Sequence, residues 1–575
     1  MSSIVQPLLQ IGDEFRIDAT QKHGKVTGQF GEGGQGQVFK ARMEDGSERA
    51  LKVYHKQYLE ENPWLKVKIP ALAGKEAPSE DFLRPEGIAQ IRKSKKLFGY
   101  IMPVLPEGYI DASWLLYGRA RITKRALFRA AAQISRSFEA LHSRGLFYRD
   151  LNWNNVAIHP KVGDVRIVDN DNVDFDTDED LVRIGFPSFI APEVLRGESR
   201  PSSDSDRHSL AVLFYYLFFK SHPLDGKAVL DEDCDIWGED AQNKIYSNSP
   251  YHFDPDDKSN AALPRSEEDP DGLAGANAIR ERKIYPESFL KHFDETFTKG
   301  LKKKHLRTME NVWGDAFDEL EHQIILCRNQ SCQDPVLGAV ENFYQGERAH
   351  HCYQCGQEIT LPPRMRVMPD KRVIVLTHDI QLRGRHIGER RDRSRRDQVH
   401  GGIDVNPTDP AKWGLRNDTS VQWKVQKEPG GPWVEIPSGK RVALSHKKFV
   451  VDFGNGRKGI IRRGAPGTSE TTTIADTNGG GQCDAGDSDE DKEGVTDVVN
   501  SLKRIHQILE VAGDVCSSGI DNPAADGTDT DGDGLCDTGD GDDDNDGVAD
   551  GDDCSSGTNN PAADRTDTEM GSDSG

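Results

Sequence analysis

Asp150 and Asn155 stand five residues apart in Phe147-Tyr148-Arg149-Asp150-Leu151-Asn152-Trp153-Asn154-Asn155, and Asp169 follows a β-branched run, Val165-Arg166-Ile167-Val168. The first stretch is apolar, then charged, then polar, the pattern of a loop between buried elements that presents one carboxylate. The second puts an acidic group at the end of a strand, followed by Asn170-Asp171. Together they suit phosphoryl transfer, in which a protein has little covalent work to do. One carboxylate accepts a hydroxyl proton, while an amide and another carboxylate hold magnesium against the phosphates. A lone Arg-Asp pair carries no such meaning; the other parts must occur upstream and downstream, in order.

Upstream, residues 24–40 read GKVTGQFGEGGQGQVFK. Gly31, Gly33 and Gly36, with Val38 and Phe39 after them, predict a β-hairpin whose tip has no side chains to block a phosphate. Glycine-rich turns are common and say little alone. Here a strand follows, Arg49-Ala50-Leu51-Lys52-Val53-Tyr54, not the helix a dinucleotide site needs, and Lys52 would point into the cleft. A further strand, Leu97-Phe98-Gly99-Tyr100-Ile101, leads into Met102-Pro103-Val104-Leu105. Downstream come Ala191-Pro192-Glu193, a segment from Ser205 to Tyr216 that is apolar nearly all round, as a buried helix should be, and Arg307-Thr308-Met309-Glu310-Asn311-Val312-Trp313.

This ordered set resembles the protein kinase family, over about residues 24–322. The resemblance implies a two-lobed α+β fold and a role for each matching position. Gly31, Gly33 and Gly36 would cover the ATP phosphates, Val38 would pack on the adenine, and Met102 would begin the hinge. Lys52 would pair with the α- and β-phosphates, Asp150 would orient and deprotonate the substrate hydroxyl, and Asn155 and Asp169 would hold Mg2+. The departures are specific. Tyr148 replaces the usual His. Asn152 replaces the Lys typical of Ser/Thr kinases. Asn170-Asp171 replaces Phe-Gly and resembles divergent bacterial kinases. A partner Glu for Lys52 is not obvious, since Glu60 and Glu61 come early and Leu65-Lys66-Val67-Lys68 is basic. The segment from Asp174 to Arg183 is acidic, with Thr177 its one hydroxyl, so Arg149 could take its anion from a nearby aspartate without modification.

The expected function is transfer of the ATP γ-phosphoryl group to Ser or Thr of a protein substrate, in bacterial signalling or stress response. The alternative is a catalytically weak pseudokinase scaffold that recruits partners. Lys52, Asp150, Asn155 and Asp169 are all present, and a binding scaffold has no physical need of all four.

Residues 225–290, rich in Asp, Pro, Ser and Asn, look like an insertion, with Cys234 a free thiol. Residues 323–361 hold Cys327 and Cys332, then Cys352 and Cys355: two short cysteine pairs that read as a four-sulfur structural Zn2+ site in a ribbon. His350 and His351 read as solvated loop residues. Residues 362–463 alternate apolar and polar in short runs separated by Gly and Pro, as in a small all-β sandwich. Leu415-Arg416-Asn417, Pro437-Ser438-Gly439 and Asp452-Phe453-Gly454 resemble a forkhead-associated domain. That resemblance implies a phosphopeptide partner, with Arg383-Gly384-Arg385 as a suitable anion cluster and the basic run from Arg390 to Arg396 a solvated loop.

The net charge is −23, and nearly all of it lies in the Asp- and Gly-rich tail, residues 464–575. This argues against nucleic-acid affinity there. One short helix is expected around Lys503 to Leu509. Asp529, Asp531, Asp533 and Asp537 with Gly534, then Asp542, Asp544, Asp546 and Asp550 with Gly547, repeat one spacing. Alternating carboxylates followed by a Gly turn can wrap a hard cation. The repeat, about residues 514–568, resembles thrombospondin type 3 repeats and implies Ca2+; the other expectation is a largely disordered acidic tail. Cys483, Cys516, Cys536 and Cys554 could pair in an oxidising compartment. Residues 1–23 read as an extension without a signal peptide, and no run approaches a membrane span of roughly 18 apolar residues. A cytoplasmic location is expected.

Overall fold

The computed structural model describes residues 7–463 apart from 95, 176–184, 231–237, 268, 347–348, 378–379, 389–394, 397, 407, 429, 445–447 and 455. Cys234, Thr177, the predicted helix near residue 505, the tail cysteines and both Asp-rich repeats lie outside the described residues.

The first lobe is a curled antiparallel sheet of β1 (Glu14–Ile17), β2 (His23–Gly33), β3 (Gly36–Met43), β4 (Glu48–Tyr54), β5 (Gly87–Ile91) and β6 (Gly99–Met102), closed in the order β1-β2-β3-β4-β6-β5. Alternation sets its inner face: Phe39, Ala41 and Met43 of β3 point inward with Phe15, Val26, Leu51 and Ile101, as period-two strands require. Two helices follow β4, namely α1 (Lys56–Glu61) and α2 (Leu65–Ala73). Helix α2 packs on β5 and on the turn Asn170–Asn172.

The second lobe is helical: α3 (Ala112–Leu116), α4 (Lys124–His142), α5 (Pro192–Leu195), α6 (Ser203–Phe219), α7 (Glu239–Asn248), α8 (Ala276–Arg282), α9 (Glu287–Lys302) and α10 (Glu310–Glu321). Helix α4 starts where the Thr123 hydroxyl accepts the Ala126 N–H at 3.1 Å, satisfying one of the donors that a helix start leaves free. Helix α6 is buried from Leu210 to Phe219, which is why its sequence shows no polar face. Around it Phe128, Phe214, Phe218, Phe289, Phe293, Trp313 and Phe317 interlock at ring distances of 4.6–6.4 Å. Residues 225–290 are polar in composition, yet they supply α7, α8 and the fully buried Tyr251 and Ala278. They pack as part of this lobe.

Arg307 locks the lobe's far end. Its buried guanidinium grips Glu193 with two bonds of 2.8 and 2.7 Å and donates to the Asp204 and Gly300 carbonyls. Breaking such a pair strands a buried charge, so Arg307→Ala should cost roughly 3–5 kcal/mol. Urea unfolding of the two proteins measures it as a lower midpoint.

After α10 the strand Ile324–Leu326 pairs with Glu341–Phe343. The Phe343 ring enters the helical core, 5.7 Å from Phe128 and 5.5 Å from Tyr285. The ribbon and the second lobe therefore share packing. Beyond it lie two antiparallel sheets around one apolar core that includes Met365, Ile374, Leu382, Leu415, Trp423, Val451 and Ile461. One has six strands, in the order Arg372–Val375, Arg364–Met368, Lys458–Arg462, Lys448–Asp452, Trp423–Gln426, Trp433–Ile436. The other has four: Gln381–Arg383, Val399–Asn406, Asp409–Asn417, Arg441–Ala443. The apolar runs around Val367, Ile374, Trp423, Val442, Val450 and Ile460 predicted six of these strands. Val399–Asn406, Asp409–Asn417, Gln381–Arg383 and Trp433–Ile436 carry too few apolar residues in alternation to stand out.

The β-module is fastened to α10. The Val375 N–H donates to the His322 carbonyl at 2.8 Å, and the His322 and His386 rings meet at 3.9 Å. Buried Arg385 faces Asp318 at 3.3 Å and Glu321 at 3.5 Å, with Arg396 3.7 Å from Asp318. This corrects the expectation for Arg385 within the Arg383-Gly384-Arg385 cluster. Arg385 is an interdomain latch, because the carboxylates it faces belong to this chain. Arg396 likewise belongs to the junction and not to a solvated loop.

Candidate active site

The Gly-rich hairpin forms from the register Gly31↔Val38 and Gly33↔Gly36. Gly36 cannot carry a side chain, since a Cβ would come within 2.2 Å of the Val53 carbonyl. At Gly33 and Gly34 a Cβ would meet nothing within 4 Å, so the tip is open to a ligand. Val38 lies opposite Lys52, and Met102 lies opposite Ala50 at the end of β6. Both side chains are half-buried at the edge of the cleft.

Asp150 sits where Tyr148 leaves a short strand. Its carboxylate accepts from the amides of Asn152 at 2.9 Å, Asn155 at 3.2 Å and Asn172 at 3.4 Å. The Asn155 amide also donates to the Asp150 carbonyl at 2.8 Å. Burial, and then the neighbouring Asp169, push the Asp150 pKa up to about 7, against the pull of the Asn152 and Asn155 bonds. A carboxylate poised there is suited to general base work at neutral pH. Tyr148 replaces the expected His, and its hydroxyl donates to the Val168 carbonyl. That bond ties the loop carrying Asp150 to the strand end that carries Asp169.

The loop is held from below by a histidine between two acids. His142 Nδ1 lies 2.6 Å from Glu310, and its Nε2 lies 2.9 Å from Asp206. Asp206 also accepts the Tyr148 N–H at 2.5 Å. Both ring nitrogens face carboxylates, so both must carry protons. Burial opposes that charge, but Asp206 and Glu310 outweigh it and lift the His142 pKa to about 9 from 6.5. A raised folded pKa means stability that is full below the unfolded value and lost as pH rises through the folded one. Between pH 6.5 and 9 the protein should lose about 3 kcal/mol. Melting temperatures across that window should fall in wild type and flatten in His142→Gln.

Asp169 takes a left-handed backbone conformation (φ 52°) that turns the chain into Asn170–Asn172. Its carboxylate is 3.0 Å from Lys52 Nζ, so the sequence-predicted Lys52, Asp150, Asn155 and Asp169 meet in one cleft. Sequence reasoning missed the rest of the cluster. Lys52 also donates to Gln35 of the hairpin at 2.8 Å and to Asp171 at 3.0 Å, and the Tyr54 hydroxyl donates to Asp171. Neither Glu60 nor Glu61 fills the partner position. The one available signal was the absence of any acid in α2 beside an extra Asp two residues after Asp169.

The four ribbon thiols converge separately, each Sγ within 4.8 Å of the others. Cys327 and Cys355 lie 3.7 Å apart, as do Cys332 and Cys352. A tetrahedral metal with bonds of about 2.3 Å needs sulfur edges of about 3.8 Å, whereas a disulfide needs about 2.05 Å. The spacing fits a metal. Hydrogen bonds from the Gln357 backbone and the Asn329 side chain bring the Cys355 pKa down to about 6, whereas burial pushes the Cys327 and Cys332 thiols up, so the sulfur spacing is what speaks for a metal. His350 is not the solvated residue expected. It is buried, stacks on Tyr344 at 5.5 Å and accepts the Gln345 N–H at 2.7 Å; His351 is exposed.

The comparisons agree with this geometry. Residues 25–262 match the family model of the protein kinase domain. Among curated proteins, the chain is 28% identical over 118 residues to serine/threonine-protein kinase kin-29 of Caenorhabditis briggsae, covering 20% of this chain and 14% of that protein. It is 35% identical over 132 residues to protein kinase C delta type of Homo sapiens, covering 22% and 19%. It is 30% identical over 114 residues to probable serine/threonine-protein kinase CCRP1 of Zea mays, covering 19% and 18%. The chain thus spans less than a fifth of the length of these relatives. Among the described residues, no helix is long and apolar enough to cross a membrane.

Proposed function

We propose that this chain is a protein serine/threonine kinase. The observation that carries the proposal is the meeting of Lys52, Asp150, Asn155 and Asp169 beneath an open glycine hairpin, within a region that matches the kinase domain. The cleft fits ATP and Mg2+, because the Asp169 carboxylate beside Lys52 and the Asn155 side chain bonded to Asp150 offer oxygen donors suited to a hard cation. Bound MgATP supplies the γ-phosphoryl group and neutralises its developing charge. The chain's own groups do the rest. Asn155 and Asp169 would hold the ions, the backbone of Gly31, Gly33 and Gly36 would lie over the phosphates, and Val38 and Met102 would bound the base. Lys52 would bind phosphate oxygens. Asp150, aimed by three amides, would orient the substrate hydroxyl and take its proton.

The Cys327, Cys332, Cys352 and Cys355 set is proposed as a structural Zn2+ site, since four thiolates close the coordination shell. The Asp529–Asp537 and Asp542–Asp550 repeats remain proposed Ca2+ loops; calorimetric titration with Ca2+ showing no heat would remove that assignment. The test of the main proposal is phosphoamino-acid analysis after incubation with labelled ATP, Mg2+ and a general protein acceptor. Label on Ser or Thr is expected. Label confined to Tyr would overturn the hydroxyl assignment, and MgATP binding without label would favour the scaffold alternative.

A further inference from the structure

Lys52 has to be held in place to meet a phosphate, and the structure does not hold it from a helix. Helix α2 reads Leu-Lys-Val-Lys-Ile-Pro-Ala-Leu-Ala and offers no carboxylate. Its buried charge is the opposite sign. Lys68 Nζ lies 2.8 Å from Asp174 Oδ2, and Arg149 Nε lies 2.5 Å from the same oxygen. Both cations also face the Trp64 ring, at 4.8 and 5.1 Å. One segment, Asp169 to Asp174, therefore carries the acids, while β4, α2 and the catalytic loop carry the bases.

We propose, resting on the kinase reading above, that Asp171 is the positioning residue for Lys52, and that Asp174 clamps α2 to the catalytic loop through Lys68 and Arg149. Asp171 is 2% exposed and receives both Lys52 Nζ and the Tyr54 hydroxyl. The Tyr54 bond fixes the carboxylate, which in turn fixes the lysine. Lys52 and Asp171 are both buried, so each supplies the counter-charge the other needs away from water. Asp171 touches no substrate in this role. It keeps Lys52 from being taken up wholly by Asp169, whose carboxylate is needed for the metal ion. Asp174 gives Arg149 an anion from the unmodified chain, so the clamp requires no added phosphate.

The experiment is a double-mutant cycle on phosphatase-treated full-length protein. Calorimetry reads the Kd for MgATP in wild type, Lys52→Met, Asp171→Asn and the double variant. Asp171→Asn is isosteric, and circular dichroism confirms each fold. If Asp171 acts through Lys52, the two substitutions couple by roughly fivefold or more and the double variant resembles Lys52→Met. Glu60→Gln and Glu61→Gln should leave Kd unchanged. Additive effects, an Asp171→Asn protein with wild-type Kd, or coupling of Glu60 or Glu61 to Lys52 would each overturn the proposal. Phosphate transfer is recorded separately. A wild type that binds MgATP but transfers nothing would overturn the catalytic reading, while the cycle would still decide the role of Asp171.

Discussion

Asp150→Asn should lower phosphate transfer by roughly 10²–10⁴-fold, the range for losing a positioned base, while MgATP affinity stays near wild type. The substitution keeps the shape of the side chain, and its amide oxygen can still accept from Asn155 and Asn172. It removes the group proposed to take the proton. The fold should be unaffected, since Asp150 is not the anchor of its loop; that work falls to Asp206, His142 and Tyr148. The same carboxylate predicts the pH profile of the wild type. It must be ionised to act, so activity rises with pH through an acidic limb. Burial and Asp169 place that limb near or below pH 7, and cations held by Asn155 and Asp169 shift it downward by favouring the charged form. A steady-state pH series on both proteins checks this, and a variant with unchanged turnover would exclude Asp150 as the base.

Extracting the metal proposed for the ribbon should be the largest single loss of stability in the molecule. Structural zinc binding is worth roughly 10–16 kcal/mol in zinc-finger peptides, and the proposed site would lend the ribbon folding free energy in the same way. The effect should not stay local. Phe343 packs among Phe128 and Tyr285, and the β-module beyond is tied to α10 through His322, Asp318 and Glu321. Treatment with a strong chelator, or Cys327→Ser, should lower the melting temperature of the helical lobe itself. Calorimetric scanning that showed only a small separate transition, with the main one unmoved, would contradict this coupling. Elemental analysis of the purified protein identifies the metal.

The sequence made the cleft legible because its parts act through residue type and order. Gly36 is required by a backbone contact, Lys52 by its place on a strand, and Asp150, Asn155 and Asp169 by fixed spacing. The four cysteines were readable for the same reason. What could not be read depends on packing between distant segments. Asp171 became the partner of Lys52 only when the turn after Asp169 met β4, across 119 positions of sequence. Arg385 looked like an exposed anion site, but its function was set by Asp318 and Glu321 on another element. His350 looked like a loop residue until Tyr344 covered it. The polar composition of residues 225–290 concealed the isolated apolar residues, such as Tyr251, that seat it on α6.

Transfer of labelled γ-phosphate from ATP to protein, with wild type and Lys52→Met assayed side by side in Mg2+, decides whether this cleft is a kinase site. Label on protein is expected in the wild type, with near-complete loss in Lys52→Met. Equal labelling of the two, or none in a wild type shown to bind MgATP, would contradict the kinase assignment.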